Sequence, residues 1–190
     1  ITAAGLTGAL PTISGANLHG VGITSTGTQT SGVIQVVQVV KTDTSSTTSF
    51  TSYTDIGPSA SIIASNANNK IMIEFMLNIG CTDGRHIAFR LEKDGSAHTA
   101  ARGDDPGDNK QRGCFHMYQD DQNGQHDQHN YVLKYIETAG DTNAHSYNIA
   151  VLDWGGQGTT QITCNRSKSD GNQSYESRTF STCTLTELAS

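Results

Sequence analysis

One segment of the chain limits its possible folds more than any other. Residues 70–79 read Lys-Ile-Met-Ile-Glu-Phe-Met-Leu-Asn-Ile, with a large apolar side chain at every second position. A period of two places these side chains on one face of a β-strand, whereas a helix would scatter them. The opposite face, formed by Met72, Glu74, Met76 and Asn78, is mixed. We therefore expect a strand with a buried face and a partly covered outer face, which packing between subunits would cover.

Strand patterns recur along most of the chain. Lys93-Asp94-Gly95 supplies a hairpin turn. Further strands are predicted at residues 33–40, 53–56, 60–64, 86–93, 113–118, 130–138, 146–154, 159–164 and 179–188. No segment has a helical stripe, and about eight to ten short strands without intervening helices are typical of an antiparallel sandwich. The sequence predicts an all-β antiparallel β-sandwich of jelly-roll type, with a closed barrel as the main alternative.

The N-terminal residues have a different pattern. We expect residues 1–31 to form an extended arm and hinge, and residues 32–190 to form the head domain. The large apolar residues of the arm are too sparse for a helix stripe or a strand face and too frequent for a free linker. Such a segment becomes ordered by burial against a neighbour, most simply against identical copies around an axis. The predicted assembly residues are Leu6, Leu10, Ile13, Leu18, Val21 and Ile23.

The strand predicted at residues 33–40 follows this arm. It is strongly β-branched, which indicates either burial on both faces or a second face that meets a neighbouring subunit.

The arm and three later segments carry a family resemblance. Residues 10–23, LPTISGANLHGVGI, resemble the "LP-x-[IL]-x-G-x-x-L-x-G" segments upstream of the distal domains of bacteriophage tail fibres. Residues 32–44, 49–55 and 181–188 are similar to fibre-like virion proteins common in marine and freshwater phages. The four cysteines and residues 103–129 are not part of that pattern.

This resemblance implies a structural virion protein. It would be the distal domain of a fibre that forms a homotrimeric spike on the extracellular particle surface. Its arm would join other virion proteins, and its head would contact a bacterial surface glycan or protein receptor. A capsid decoration or head-fibre protein is the first alternative. A glycan depolymerase and a cellular adhesin joined by strand donation are the others.

Net charge limits the partners. A formal net charge of −6 argues against binding of nucleic acid, which is bound by clustered Lys and Arg. The same net charge makes polyanionic glycans and acidic membranes poor partners.

Membrane insertion is not expected, because the most apolar run, residues 33–40, is short and interrupted by Gln35 and Gln38. No signal peptide is recognisable, and the start at Ile1 leaves open a longer precursor.

The cysteines have no metal-site spacing. Cys81, Cys114, Cys164 and Cys183 contain no C-x-x-C pair, which disfavours a zinc knuckle. Two disulfides, each contributing about 3 kcal/mol, and four buried thiols remain equal alternatives.

Three polar loops interrupt the strands at residues 97–112, 119–129 and 155–176, and such loops commonly carry recognition. The first contains Asp104, Asp105 and Asp108, which are either a solvated turn or oxygen ligands for Ca²⁺. We prefer the solvated turn and predict no cofactor and no metal.

The other two loops offer aromatic and histidine candidates. His126 and His129 have His-x-x-His spacing, which we interpret as exposed titrating histidines in preference to half of a metal site. Trp154 immediately precedes the third loop and would either pack in the core or at an interface, or stack on a sugar ring. The receptor-binding candidates are Asp104, Asp105, Asp108, His126, His129 and Trp154.

Catalytic motifs are missing from the sequence. It contains no G-x-S-x-G, H-E-x-x-H, Walker or strand-linked G-x-G-x-x-G motif. Carboxylate pairs for glycoside cleavage could be drawn from the acidic loops, but any acidic loop offers such pairs. The sequence predicts no enzymatic activity.

Overall fold

The described residues form an all-β sandwich. A computed structural model of the chain describes residues 32–48, 51–81, 85–107, 110–119, 126–154 and 161–190. They contain antiparallel strands and a short 3-10 helix, Thr99–Ala101, and within these ranges there is no α-helix. The predicted fold class is confirmed, while the predicted arm, residues 1–31, lies outside the described residues.

No helix in the described part has the length and apolar character needed to span a bilayer.

The strand bounds agree with most of the predicted segments. The strands are β1 (Val33–Lys41), β2 (Ser45–Thr47), β3 (Thr54–Asp55), β4 (Ala60–Ile63), β5 (Lys70–Cys81), β6 (Arg85–Lys93), β7 (Ser96–Ala97), β8 (Phe115–Gln119), β9 (His129–Thr138), β10 (Ala144–Asp153), β11 (Ile162–Cys164) and β12 (Ser181–Leu188). β6 and β7 are joined by the predicted turn, whose Asp94 and Gly95 have φ values of 53° and 70°. Two consecutive positive φ values characterise the type I′ turn that Asp-Gly favours.

The strands form two six-stranded sheets. Sheet 1 contains β1, β2, β5, β9, β11 and β12, and its longer strands lie in the order β1-β12-β5-β9. Sheet 2 contains β3, β4, β6, β7, β8 and β10, with the order β4-β10-β6-β8. Successive long strands alternate between the sheets except at β6 and β8. This arrangement of eight antiparallel strands is a jelly roll, in agreement with the sequence.

The core lies between the two sheets. Ile71, Ile73, Phe75, Leu77 and Ile79 of β5 are all buried, as their period of two predicted. They belong to one cluster with Ile87, Phe89 and Leu91 of β6 and with Tyr147, Ile149 and Val151 of β10. Each such side chain contributes about 1.5–3 kcal/mol on burial.

The sandwich has two distinct ends. Gly32 precedes β1 and its carbonyl accepts from the backbone N–H of Ala189, and the cross-strand register places Leu188, Lys70 and Thr138 in one row. We call this the arm end. β5 runs away from it for 12 residues, or about 40 Å. The short connection after Cys81 keeps the start of β6 at the opposite end, which we call the far end.

A buried carboxylate fixes the arm end. Glu187 of β12 is fully buried and accepts hydrogen bonds from Asn69 Nδ2 at 2.6 Å and Gln35 Nε2 at 2.6 Å. The backbone N–H and hydroxyl of Ser65 also donate to it, both at 2.7 Å. Burial raises the pKa of Glu187, but these donors outweigh it and lower the pKa to about 2. The ionised carboxylate therefore joins β1, β12 and the loop after β4.

The four cysteines are all described and form no disulfide in the structure. Cys81, Cys164 and Cys183 are buried and Cys114 is half-buried, whereas the thiol alternative expected all four to be buried. Burial raises the pKa of Cys114 to about 11 and that of Cys183 to about 12. Because the thiolate is the reactive form, these two cysteines are structural.

Candidate functional site: two contrasting outer faces

The outer face of sheet 1 carries two rows that contain apolar side chains. Cross-strand partners form one row of Val36, Thr186, Met72 and Ile136 and a second row of Val40, Thr182, Met76 and Val132. Val36 is 57% exposed and Val132 is 67% exposed. The strand at residues 33–40 is thus not buried on both faces within the described chain. We call the six apolar residues of these rows the apolar face: Val36, Val40, Met72, Met76, Val132 and Ile136.

A polar row crosses the middle of the apolar face. Gln38, Thr184, Glu74 and Lys134 are cross-strand neighbours there. Lys134 Nζ lies 3.2 Å from Glu74 Oε1, and Gln38 Nε2 donates to Thr184 Oγ1 at 3.0 Å. The polar groups are thus paired with one another, and the rows beside them carry exposed Val and Ile. Such a surface is typical of protein–protein contact.

Sheet 2 carries an aromatic cluster at the far end. His86 and Tyr118 are cross-strand partners whose ring centroids are 4.5 Å apart, and His116 lies 5.3 Å from His86. The backbone N–H of Trp154 donates to His86 O at 2.8 Å, which aligns Trp154 with this row. We call His86, His116, Tyr118 and Trp154 the aromatic cluster.

The aromatic cluster borders an open cavity of about 420 Å³. His86, His116 and Trp154 line it together with Lys110 and Gln111. Trp154 is 52% exposed, so its ring is accessible to a ligand. Burial, with the neighbouring His86 as the smaller cause, lowers the pKa of His116. His116 therefore favours the neutral form, which can both donate and accept a hydrogen bond.

A second cavity, of about 230 Å³, lies beside the first and shares Lys110 and Gln111 with it. Its lining includes Arg90, Arg102, Lys110 and Arg112, which are four of the twelve Lys and Arg residues in the chain. No acidic side chain of the described residues lines it. We call it the cationic cavity.

The cations of this cavity differ in how they are paired. Arg90 lies 4.1 Å above the Tyr53 ring and donates from Nε to Glu92 Oε1 at 2.8 Å. Arg112 donates from Nη1 to Asp105 Oδ2 at 2.7 Å. Within the described residues Arg102 forms no ion pair or hydrogen bond. Arg102 therefore supplies the positive charge that is least compensated locally.

Two of the residues that line the cavity each have a buried polar side-chain atom without a hydrogen-bond partner among the described residues. The atoms are Tyr53 Oη and His98 Nδ1. The His98 side chain is 10% exposed, and its Nε2 lies 2.5 Å from Glu137 Oε2. Since ionised Glu137 can only accept, Nε2 is the donor; Nδ1 is an acceptor in the neutral imidazole and a donor in the protonated one. Unsatisfied buried groups of this kind are uncommon and costly.

The structure describes two of the three predicted loop aspartates, Asp104 and Asp105, and both are exposed. Asp105 is engaged by Arg112 and by the backbone N–H of Gly107, which donates to it at 3.1 Å. Asp108 lies outside the described residues. No group of three or more His, Cys, Asp or Glu residues suited to a metal ion occurs within the described ranges.

The other predicted residues are dispersed. His126 packs edge-to-face on Tyr175, and its Nδ1 lies 3.5 Å from Glu176 Oε1, too far for a hydrogen bond. His129 is half-buried and pairs with Ile79 in sheet 1. Of the binding candidates, Trp154 alone lies in the aromatic cluster. The predicted assembly residues lie outside the described residues: Leu6, Leu10, Ile13, Leu18, Val21 and Ile23.

Sequence reasoning did not identify most of the residues of the two cavities. Tyr53, His98 and Arg102 come from separate segments and meet only in the folded chain. The outward orientation of His86 and Arg90 could be predicted from the sequence, because they alternate with the buried Ile87 and Phe89.

Comparison with known proteins adds no assignment. No protein-family model matches the chain, and a search of curated proteins gives no match.

Proposed function

We propose that this chain is a structural virion protein, the distal domain of a phage fibre. It assembles as a homotrimeric spike, joins other virion proteins through its N-terminal arm and contacts a bacterial surface glycan with its head. The sequence resemblance motivates the family, and the placement of surfaces on the head supports the role.

The polarity of the sandwich is the observation that carries this proposal. The arm joins the sandwich at Gly32, at the arm end, whereas Trp154, His86 and Tyr118 lie at the far end. The separation is about 40 Å along β5. A fibre needs this separation, because its attachment point and its receptor site face opposite directions.

The apolar face supports self-association. It lies on the sheet whose edge strand β1 continues directly from the arm, so copies held together by their arms would also bring these faces together. Identical copies are the occupant that accounts for both features, since a closed ring hides the same surface on every chain. The paired Glu74 and Lys134 would remain satisfied when buried.

Native mass spectrometry of the full chain tests the proposal. The expected result is a particle of three times 20.2 kDa that persists at low micromolar concentration. A monomer at that concentration would contradict the trimeric spike.

A second measurement separates a binder from a depolymerase. Incubation with host polysaccharide should yield bound protein and no new reducing ends. Release of reducing ends would replace the adhesion proposal with an enzymatic one.

A further inference from the structure

We infer that the cationic cavity binds the carboxylate of an acidic monosaccharide unit, while the aromatic cluster stacks on the adjoining unit of the same glycan. This inference rests on the proposed function, because it names the class of glycan that the head would recognise. It goes beyond that function by distinguishing acidic from neutral saccharides.

Charge provides the first argument. The net charge of −6 disfavours polyanions in general, yet four cations line this cavity without an acidic neighbour in its lining. Arg90 and Arg112 are already paired with carboxylates, which fix their positions and partly offset their positive charges. Arg102 has no such partner within the described residues, and a guanidinium pairs with a carboxylate through two parallel hydrogen bonds.

The unsatisfied polar atoms provide the second argument. Tyr53 Oη can donate to a carboxylate oxygen, and His98 Nδ1 can form a hydrogen bond with a sugar hydroxyl, which both donates and accepts. Both groups are buried without a partner in the described chain. Each atom has almost no solvent-accessible surface in the free chain, so a bound saccharide would satisfy both groups only after a small shift of the side chains around them.

Size provides the third argument. The cavity of about 230 Å³ is smaller than the roughly 300–1,000 Å³ of sites for drug-sized ligands, so it accepts one sugar unit. The adjoining cavity of about 420 Å³ shares Lys110 and Gln111 with it and exposes the ring of Trp154. The two cavities together therefore fit a short stretch of one glycan, with a charged unit beside a stacked unit.

A matched ligand pair tests the inference. Methyl glucuronide and methyl glucoside differ only in the C6 carboxylate, and two-dimensional NMR titration of the full chain measures both affinities. We expect the glucuronide to bind at least tenfold more tightly. Equal affinities, or no glucuronide binding, would overturn the inference.

Three variants locate the effect. Arg102→Gln should reduce glucuronide affinity to the level of the glucoside and leave the glucoside unchanged. Lys168→Gln, which removes the same charge outside the cavity, should change neither. Tyr53→Phe should weaken glucuronide binding severalfold without lowering the melting temperature, because the hydroxyl it removes is unsatisfied in the free protein. A stable Arg102→Gln protein with full glucuronide preference would contradict the assignment.

An inorganic phosphate titration separates a saccharide site from a general anion site. Phosphate that binds as tightly as the glucuronide, with the same dependence on Arg102, would overturn the saccharide assignment. The two proposals fail in different measurements. A monomeric mass would refute the spike and leave the ligand preference testable, whereas a trimer without acid preference would refute only this inference.

Discussion

The two sheets of this jelly roll have the same inner chemistry and different outer chemistry. Sheet 1 presents exposed Val and Ile, with half-buried Met and with Thr, in two rows that flank one ion pair. Sheet 2 exposes imidazole and indole rings at the far end, next to the cationic cavity. An apolar outer face is adapted to a protein surface, whereas rings and cations suit a polar ligand that must be oriented. Under the proposed function, association would involve sheet 1 and recognition would involve sheet 2.

The largest expected effect tests association. Val132→Glu places a carboxylate on the apolar face of every copy, and Val132 is 67% exposed, so the monomer should fold normally. We expect the protein concentration at which half of the trimer dissociates to rise by more than about 100-fold, because each buried charge costs several kcal/mol. Analytical ultracentrifugation measures it.

The matched control is Ile63→Glu, which changes an exposed residue of sheet 2 in the same way. It should leave the mass unchanged. If both variants stay trimeric, the apolar face is not the interface between copies.

The second effect concerns the arm end, where Glu187 joins sheet 1 to the loop after β4. Its pKa is about 2 in the folded chain and 4.5 when unperturbed. A lowered pKa stabilises the fold fully above the unperturbed value, and this stabilisation is lost as pH falls toward 2. Glu187→Gln should therefore lower the free energy of unfolding by about 3 kcal/mol at pH 7 and by progressively less below pH 4.5.

Urea unfolding between pH 7 and pH 2.5 measures this difference. Performing it in the Val132→Glu background removes the contribution of assembly. A cost that stays constant with pH would show that Glu187 acts through its shape and not through its charge.

The third effect tests recognition. Trp154→Ala should weaken binding of both methyl glucoside and methyl glucuronide about tenfold, the loss expected for one stacking ring. Trp154→Phe should retain most of the affinity, and neither variant should alter the mass. A change of mass in Trp154→Ala would mean that the two outer faces do not have separate roles.

The smallest effect sharpens the comparison within sheet 1. In a monomer Glu74→Gln should change the free energy of unfolding by less than about 1 kcal/mol, since its partner Lys134 is largely exposed. In the trimer the same change should weaken assembly more than it affects folding, because it leaves Lys134 buried without its partner. Thermal unfolding of both forms separates the two contributions. Equal effects would place this pair outside the interface.

Periodicity predicted the fold better than the site. The alternation in residues 70–79 identified both faces of β5, and Lys93-Asp94-Gly95 identified the hairpin. β2 and β7 were not predicted, because Ser45–Thr47 is polar throughout and Ser96–Ala97 has only two residues. A period of two shows which face a side chain occupies but not which strand lies beside it.

The cavities show the same limit. Trp154 was a candidate because an isolated tryptophan beside polar residues is visible in one segment. Tyr53, His98 and Arg102 were not, since they meet only through the order of the strands in sheet 2 and the path of the loop after β7. Long-range pairing therefore creates the site that local sequence does not reveal.

The polarity of the sandwich has a consequence for binding strength. Three heads standing on one axis, with their arm ends together, would carry three far ends at a common tip. A saccharide site that is weak alone would then act multivalently, and avidity can exceed single-site affinity by roughly 10²–10⁴ without a new contact. Weak single sites would also release one at a time, so that a particle could explore a glycan-coated surface before it attaches firmly.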